Sequence, residues 1–299
     1  MTMSRSAQDY ISAFRRGEDF KPPSAGLIVN GQPDPGALQE LEKELTGGDA
    51  HVREQIVSVL VELGRRTDPI TSKGADVIGN AQILTILAGP GLAKSDLGRE
   101  AAMDALRKLV IPRDLNRFSG AIVKTLENGP SEEAFLLVAK AKAQGAKSVV
   151  ERLSDSPRWR DDEAAQIARA ALGAEEVENE FLNVARDADK ALDGMALGRA
   201  LGSLGLIGTP RSLRVVAEHL RTPLTILIPG AMEKSVRVSA LEALLYNYPD
   251  QPALYPNNVN DDAGYELAER FCIQTLGVSY DGPRPPFMKY RPFPIPVGR

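Results

Sequence analysis

The chain has 299 residues, with 36 Lys and Arg against 40 Asp and Glu, a net charge of -4 and a sequence pI near 5.5. That length accommodates one large or two ordinary domains, and the acidity excludes a protein whose whole surface is built to hold nucleic acid. Only 8 Phe, 7 Tyr and 1 Trp argue against a β-sandwich or barrel, and the 21 prolines must then fall between helices, because inside a helix each costs about 3 kcal/mol.

In chain order, Leu38, Leu41 and Leu45 mark a helix begun by Pro35 and ended by Gly47-Gly48. The next starts at Asp49 as N-cap and carries Val52, Ile56, Val59, Leu60 and Leu63 before Gly64. The periodicity then predicts helices from Ala75 to Leu87, Ser95 to Leu109, Leu115 to Leu126, and Glu132 to Gln144 capped by Ser131. Further helices are predicted from Asp161 to Leu172, Glu175 to Ala188, Asp193 to Leu204 closed by Gly205, and Pro210 to Leu220 opened by Thr209. The last two are Glu233 to Tyr246 and Asp261 to Leu276. Leu27-Ile28-Val29 is the one short extended candidate. The expected division is an N-terminal helix and linker over 1–34, a helical array over 35–277 and a proline-rich arm over 278–299.

The second helices of successive pairs resemble one another. Val52-Arg53 through Ile56, Val59 and Leu63-Gly64 aligns with Gly98-Arg99 through Ala102, Ala105 and Leu109. Ala164 to Gly173, Leu197 to Gly205 and Val236-Arg237 to Leu244 follow the same pattern. Irregular units of this kind, each a hairpin unable to bury its own apolar face, describe an α-solenoid.

On the segments Ala200 to Pro210 and Ser235 to Leu244, the chain resembles the HEAT repeat family, in particular its short bacterial form also found in phycobilisome-lyase-type proteins. The resemblance implies an all-α superhelix of five or six hairpins and binding of macromolecules rather than catalysis. It also implies that the second helices line a concave surface, where Arg53 and Arg237 match the family's Val-Arg position and Arg99 matches in the arginine alone. The same arginines have a structural reading, a hydrogen bond to the preceding turn.

Chemical motifs are few. Gly89 to Ser95 looks like a phosphate loop but has Ala88 and Ala93 where glycines are required, and a helix rather than a strand precedes it; its glycines are read as a helix end and Ser95 as the next cap. Asn258, Asn260, Asp262 and Glu269 have calcium-loop spacing, but Ala263 takes the glycine position and a helix begins inside the loop. His51 and His219 have no metal-ligand neighbours, and Cys272, the one cysteine, sits on an apolar helix face as an inert thiol. It excludes intrachain disulfides and suits a reducing cytoplasm. No apolar run reaches the roughly 18 residues of a membrane span, and the N-terminus lacks a signal-peptide core. No catalytic residue, metal or cofactor is expected.

Charge is unevenly distributed. Residues 161–193 carry 3 basic and 10 acidic groups, whereas 107–160 carry 11 basic and 6 acidic. The basic stretch includes Arg107, Lys108, Arg113, Arg117, Lys124, Lys140, Lys142 and Lys147. In the arm, Phe287, Tyr290 and Phe293 alternate with Lys289 and Arg291 among prolines, giving an extended basic and aromatic segment. The expected function is non-catalytic protein binding, as a scaffold, adaptor or immunity-type inhibitor. The residues assigned to partner binding are Arg53, Arg99, Arg237, Glu175, Glu176, Glu178, Glu180, Phe287, Tyr290, Arg291 and Phe293. The arm is expected to dock on the acidic region or on a second copy of the chain. The alternative is nucleic-acid binding or base excision through 107–160, as in the alkylpurine DNA glycosylases that the architecture resembles; action on a bilin rests on the repeat resemblance alone.

Overall fold

The computed structural model describes residues 5–21, 25–67, 77–226, 234–255, 262–283 and 285. The chain forms two compact units, Met1–Ala168 and Arg169–Arg299, predominantly helical, with the boundary inside one helix. Among the described residues no helix is long and apolar enough to cross a membrane.

The first unit opens with α1 (Ala7–Arg15), fixed by a reciprocal cap in which the Asp9 amide donates to Ser6 Oγ at 3.2 Å and the Ser6 amide donates to Asp9 Oδ2 at 2.8 Å. A small hairpin follows, β1 (Ile28–Val29) against β2 (Gln32–Pro33), turned by Asn30 and Gly31 at φ 54° and 76°. Then come α2 (Pro35–Gly47), α3 (Ala50–Thr67), α4 (Ala81–Ala88), α5 (Leu97–Leu109) and the single turn α6 (Pro112–Leu115). The unit continues through α7 (Ser119–Asn128), α8 (Glu132–Ala141) and α9 (Lys147–Ser154), and α10 (Glu163–Ala171) spans the boundary. The second unit contains α11 (Glu175–Lys190), α12 (Gly194–Ile207), α13 (Pro210–Glu218), a two-residue pairing of β3 (Thr225–Ile226) with β4 (Lys234–Ser235), α14 (Val236–Asn247) and α15 (Asp262–Leu276).

Side-chain caps set most of the helix starts. Asp34, Asp49, Ser131, Asp193 and Thr209 accept from first-turn amides, and of these Asp49, Ser131 and Thr209 lie where the sequence places them. Three starts differ. The cap of α5 is Asp96, not Ser95, the helix expected from Leu115 begins at Ser119 after the separate turn α6, and the residues before α14 pair as a strand instead of extending that helix. Helix α9 lies in a stretch without an expected helix, and α4 is shorter than the span from Ala75, whose start lies outside the described residues.

Within each unit the second helices of neighbouring hairpins run parallel. Arg53 meets Gly98 near the starts of α3 and α5, while Arg65 and Lys108 line one groove near their ends. In the second unit Gly198 faces Ser239 and Gly205 faces Ala243 along α12 and α14. These glycines are packing positions rather than helix ends. A Cβ on Gly205 would stand 2.5 Å from Ala243 Cβ, so α12 continues through it and stops at Gly208, which takes φ 60°. Apolar layers, including Leu41, Ile56, Leu60 and Leu106 in the first unit and Leu197, Leu201, Leu204 and Leu244 in the second, are fully buried beneath this stacking.

A matched pair of substitutions tests this packing. Gly205→Ala is expected to lose about 1–3 kcal/mol by overpacking. Gly202→Ala, on the same helix with nothing within 4 Å of the added Cβ, is expected to gain about 0.5–1 kcal/mol. Equilibrium urea unfolding of both variants checks the sign difference.

Candidate functional site

Parallel packing of α3 and α5 leaves a groove of about 460 Å³ between them. Its floor is apolar, from Val57, Val61, Ala101, Ala105 and Leu109, and its rim carries Glu62, Arg65, Asp104 and Lys108. One end is already occupied by the chain itself. The non-helical segment after α1 crosses α3, the Phe20 amide donates to Gln55 Oε1 at 2.7 Å, and the Phe20 ring lines the groove while touching Tyr10 at a centroid distance of 5.7 Å. Phe20 and Gln55 were not among the expected site residues; the isolated aromatic ahead of Pro22-Pro23 is the sequence signal for them.

Arg53, near the start of α3, is fully buried. Its Nε donates to Asp96 Oδ2 at 2.7 Å, and its Nη2 donates to the Pro90 and Gly91 carbonyls at 3.2 and 3.3 Å. The guanidinium therefore ties the start of α3 to the turn and cap that begin α5, and these belong to the following hairpin, not the preceding turn. Gly98 makes room for it, since a Cβ there would lie 2.5 Å from Arg53 Cβ. Arg237 is buried in the same way, donating through Nε to the Thr222 carbonyl at 2.9 Å and through Nη2 to Pro285 at 3.1 Å. Arg99 is buried beside Ser95 and lines a different cavity. As placed here, Arg53 and Arg237 face the protein interior and leave no donor at the surface for a partner, because their charge is consumed by carbonyls and Asp96.

The acidic residues divide. Glu175, Glu176 and Glu180 are exposed on α11, with Arg169 at 3.3 Å from Glu176. Glu178 is buried and accepts hydrogen bonds from the Thr209 and Ser212 hydroxyls, the latter at 2.7 Å, at the start of α13. It fastens α11 to α13 and is not part of an acidic surface.

The beginning of the C-terminal arm docks on the second unit. Tyr280 OH donates to the Ala217 carbonyl at 2.8 Å, and Arg221 stacks 4.8 Å from the Tyr280 ring centroid. Arg221 also donates to the Tyr280 and Gly282 carbonyls and pairs with the buried Glu269 at 3.0 Å. The described arm residues thus bind arginines of the hairpin itself rather than the α11 acids. Phe287, Tyr290, Arg291 and Phe293 lie outside the described residues, as do Asn258 and Asn260 of the calcium-like spacing.

Burial pushes the Cys272 thiol up to about 12, so it stays protonated near neutrality and is no nucleophile. Among the described residues no group of three or more His, Cys, Asp or Glu side chains could hold a metal ion.

Comparison of the chain with protein-family models, with curated proteins and with solved structures returned no match.

Lys140, counted among the basic stretch, is a buried residue. Its Nζ donates to the Arg107 carbonyl in the last turn of α5, where the helix dipole favours a cation. Burial, then the neighbouring Arg107 charge, lowers its pKa to about 7. Below that value both folded and unfolded chains carry the charge. From about pH 7 up to the ordinary lysine value of 10.5 the folded form binds fewer protons, so stability rises with pH. The stability of wild type relative to that of Lys140→Met should rise by about 2 kcal/mol from pH 7 to 9, measured by denaturant unfolding. A flat difference would show that the ammonium is not buried.

Proposed function

We propose that the protein is a non-catalytic, HEAT-like binding module whose α3/α5 groove receives an extended segment of a protein partner. The observation carrying this reading is the chain's own Phe20 segment, which already occupies one end of the groove through a main-chain hydrogen bond to Gln55 and an aromatic anchor. The preferred occupant is therefore a segment with an aromatic or aliphatic anchor flanked by residues of both charges, complementary to Glu62, Arg65, Asp104 and Lys108.

The nucleic-acid alternative is weakened by the same geometry. Within the basic stretch Lys140 is buried, Arg107 pairs with Glu133 at 2.7 Å and with Asp104 at 3.1 Å, and Lys108 pairs with Asp104 at 2.8 Å. Phe135 and Trp159 are buried against each other at 5.2 Å and offer no platform for bases.

A photo-crosslinking residue at Ser58, on the groove wall, is expected to capture one discrete protein in the native cell. The same residue at the exposed Val184 of α11 should not capture it. Lys108→Glu should reduce the capture. Recovery of nucleic acid, with a steep loss of affinity as salt rises, would instead favour the alternative.

A further inference from the structure

Arg99 differs from Arg53 and Arg221 in what surrounds its charge. The buried Arg53 meets Asp96 and two carbonyls, and the half-buried Arg221 meets Glu269 and two carbonyls. Arg99 is only 8% exposed, yet its guanidinium makes one hydrogen bond, from Nη2 to Ser95 Oγ at 2.7 Å. Its Nε is buried with no partner, and among the described residues it forms no ion pair. A buried cation without a counter-charge is strongly disfavoured unless something else supplies the negative charge.

The side chain lines a cavity of about 360 Å³, within the range of small-molecule sites. Around it stand Ser95, Lys124 and Asn128, with Leu92, Ala88 and Ala121 as an apolar wall, and no Asp or Glu contributes to the lining. Lys124 is exposed and among the described residues makes no ion pair, so two uncompensated cations face one space. The guanidinium lies against Gly129, where a Cβ would come within 2.6 Å of Nη2 and 2.7 Å of Nη1. The Ser95 hydroxyl accepts from Arg99, which leaves its proton to be donated into the cavity.

We infer that this cavity binds the phosphate of a small phosphate monoester. Arg99 would supply the planar donor fork that matches phosphate oxygens, Lys124 the second charge, and Ser95 and Asn128 further donors. The apolar wall would receive the organic part of the ligand. The site is not a phosphate loop, since a helix and a 3₁₀ turn (Pro90–Leu92) precede α5 and the charge comes from side chains. It shares no lining residue with the α3/α5 groove, so either can fail without the other.

Isothermal titration of the full chain in phosphate-free, low-salt buffer tests this, using inorganic phosphate, glycerol phosphate and acetate as probes. Saturable binding is expected for both phosphates, tighter for the ester. Lys124→Ala, at an exposed position that should leave the fold intact, is expected to weaken it at least about fivefold. Lys94→Ala, outside the cavity, should leave it unchanged. Arg99→Gln should abolish binding, with circular dichroism reporting whether the variant is folded. Absence of saturable phosphate binding, equal affinity in Lys124→Ala and wild type, or acetate binding as tightly as the ester would each overturn the assignment.

Discussion

The close parallel approach of second helices is the constraint on which the rest of the first unit depends, and it is set by one guanidinium. Arg53 is long enough to reach from α3 into the turn that starts the next hairpin, where its three hydrogen bonds end on the Pro90 and Gly91 carbonyls and the Asp96 carboxylate. Desolvating the charge is offset by Asp96, which also caps α5. The approach requires Gly98, because any side chain there would collide with the arginine. Once α3 and α5 are fixed in register, the groove between them and the position of Arg99, next in sequence to Gly98, follow.

The same logic is used with different residues in the second unit. There the helices meet through Gly205 and Ala243, and the Asn247 side-chain amide donates to the Gly205 carbonyl at 2.7 Å. Arg237, which occupies the equivalent sequence position to Arg53, reaches back to Thr222 and across to Pro285 rather than forward into another hairpin. The arginine positions are thus a repeated structural device whose partners depend on what lies next to each helix. The first unit additionally presents two surfaces of opposite character. The groove mixes both charge signs over an apolar floor, whereas the Arg99 cavity is purely cationic.

Much of the architecture was legible from local chemistry. Caps such as Asp49, Ser131 and Thr209 before Pro210 are short-range effects, and each lies where the sequence places it. The inert, buried Cys272 was legible from its apolar helix face. What escaped the sequence depended on distant partners. Gly64 and Gly205 look like helix ends, but Ile78 and Ala243 need the space they leave. Ser95 and Asp96 are equally good caps by type, and Asp96 is selected because it also faces Arg53, 43 residues away. Lys140 and Glu178 look like surface charges, and only the fold brings the Arg107 carbonyl, Thr209 and Ser212 to them. The extended candidate Leu27-Ile28-Val29 contains the first strand of the hairpin, whereas the turn at Asn30-Gly31 and the returning strand were not read from the sequence.

The most direct measurement of the central claim is a double-mutant cycle between Arg53 and Asp96, using Arg53→Met and Asp96→Asn so that side-chain volume and the α5 cap are retained. Unfolding in urea gives the coupling energy. If the buried pair sets the stacking of α3 on α5, the coupling exceeds about 1.5 kcal/mol. Single effects that add to within about 0.5 kcal/mol would mean that the helices are held by apolar packing alone, and would contradict the account.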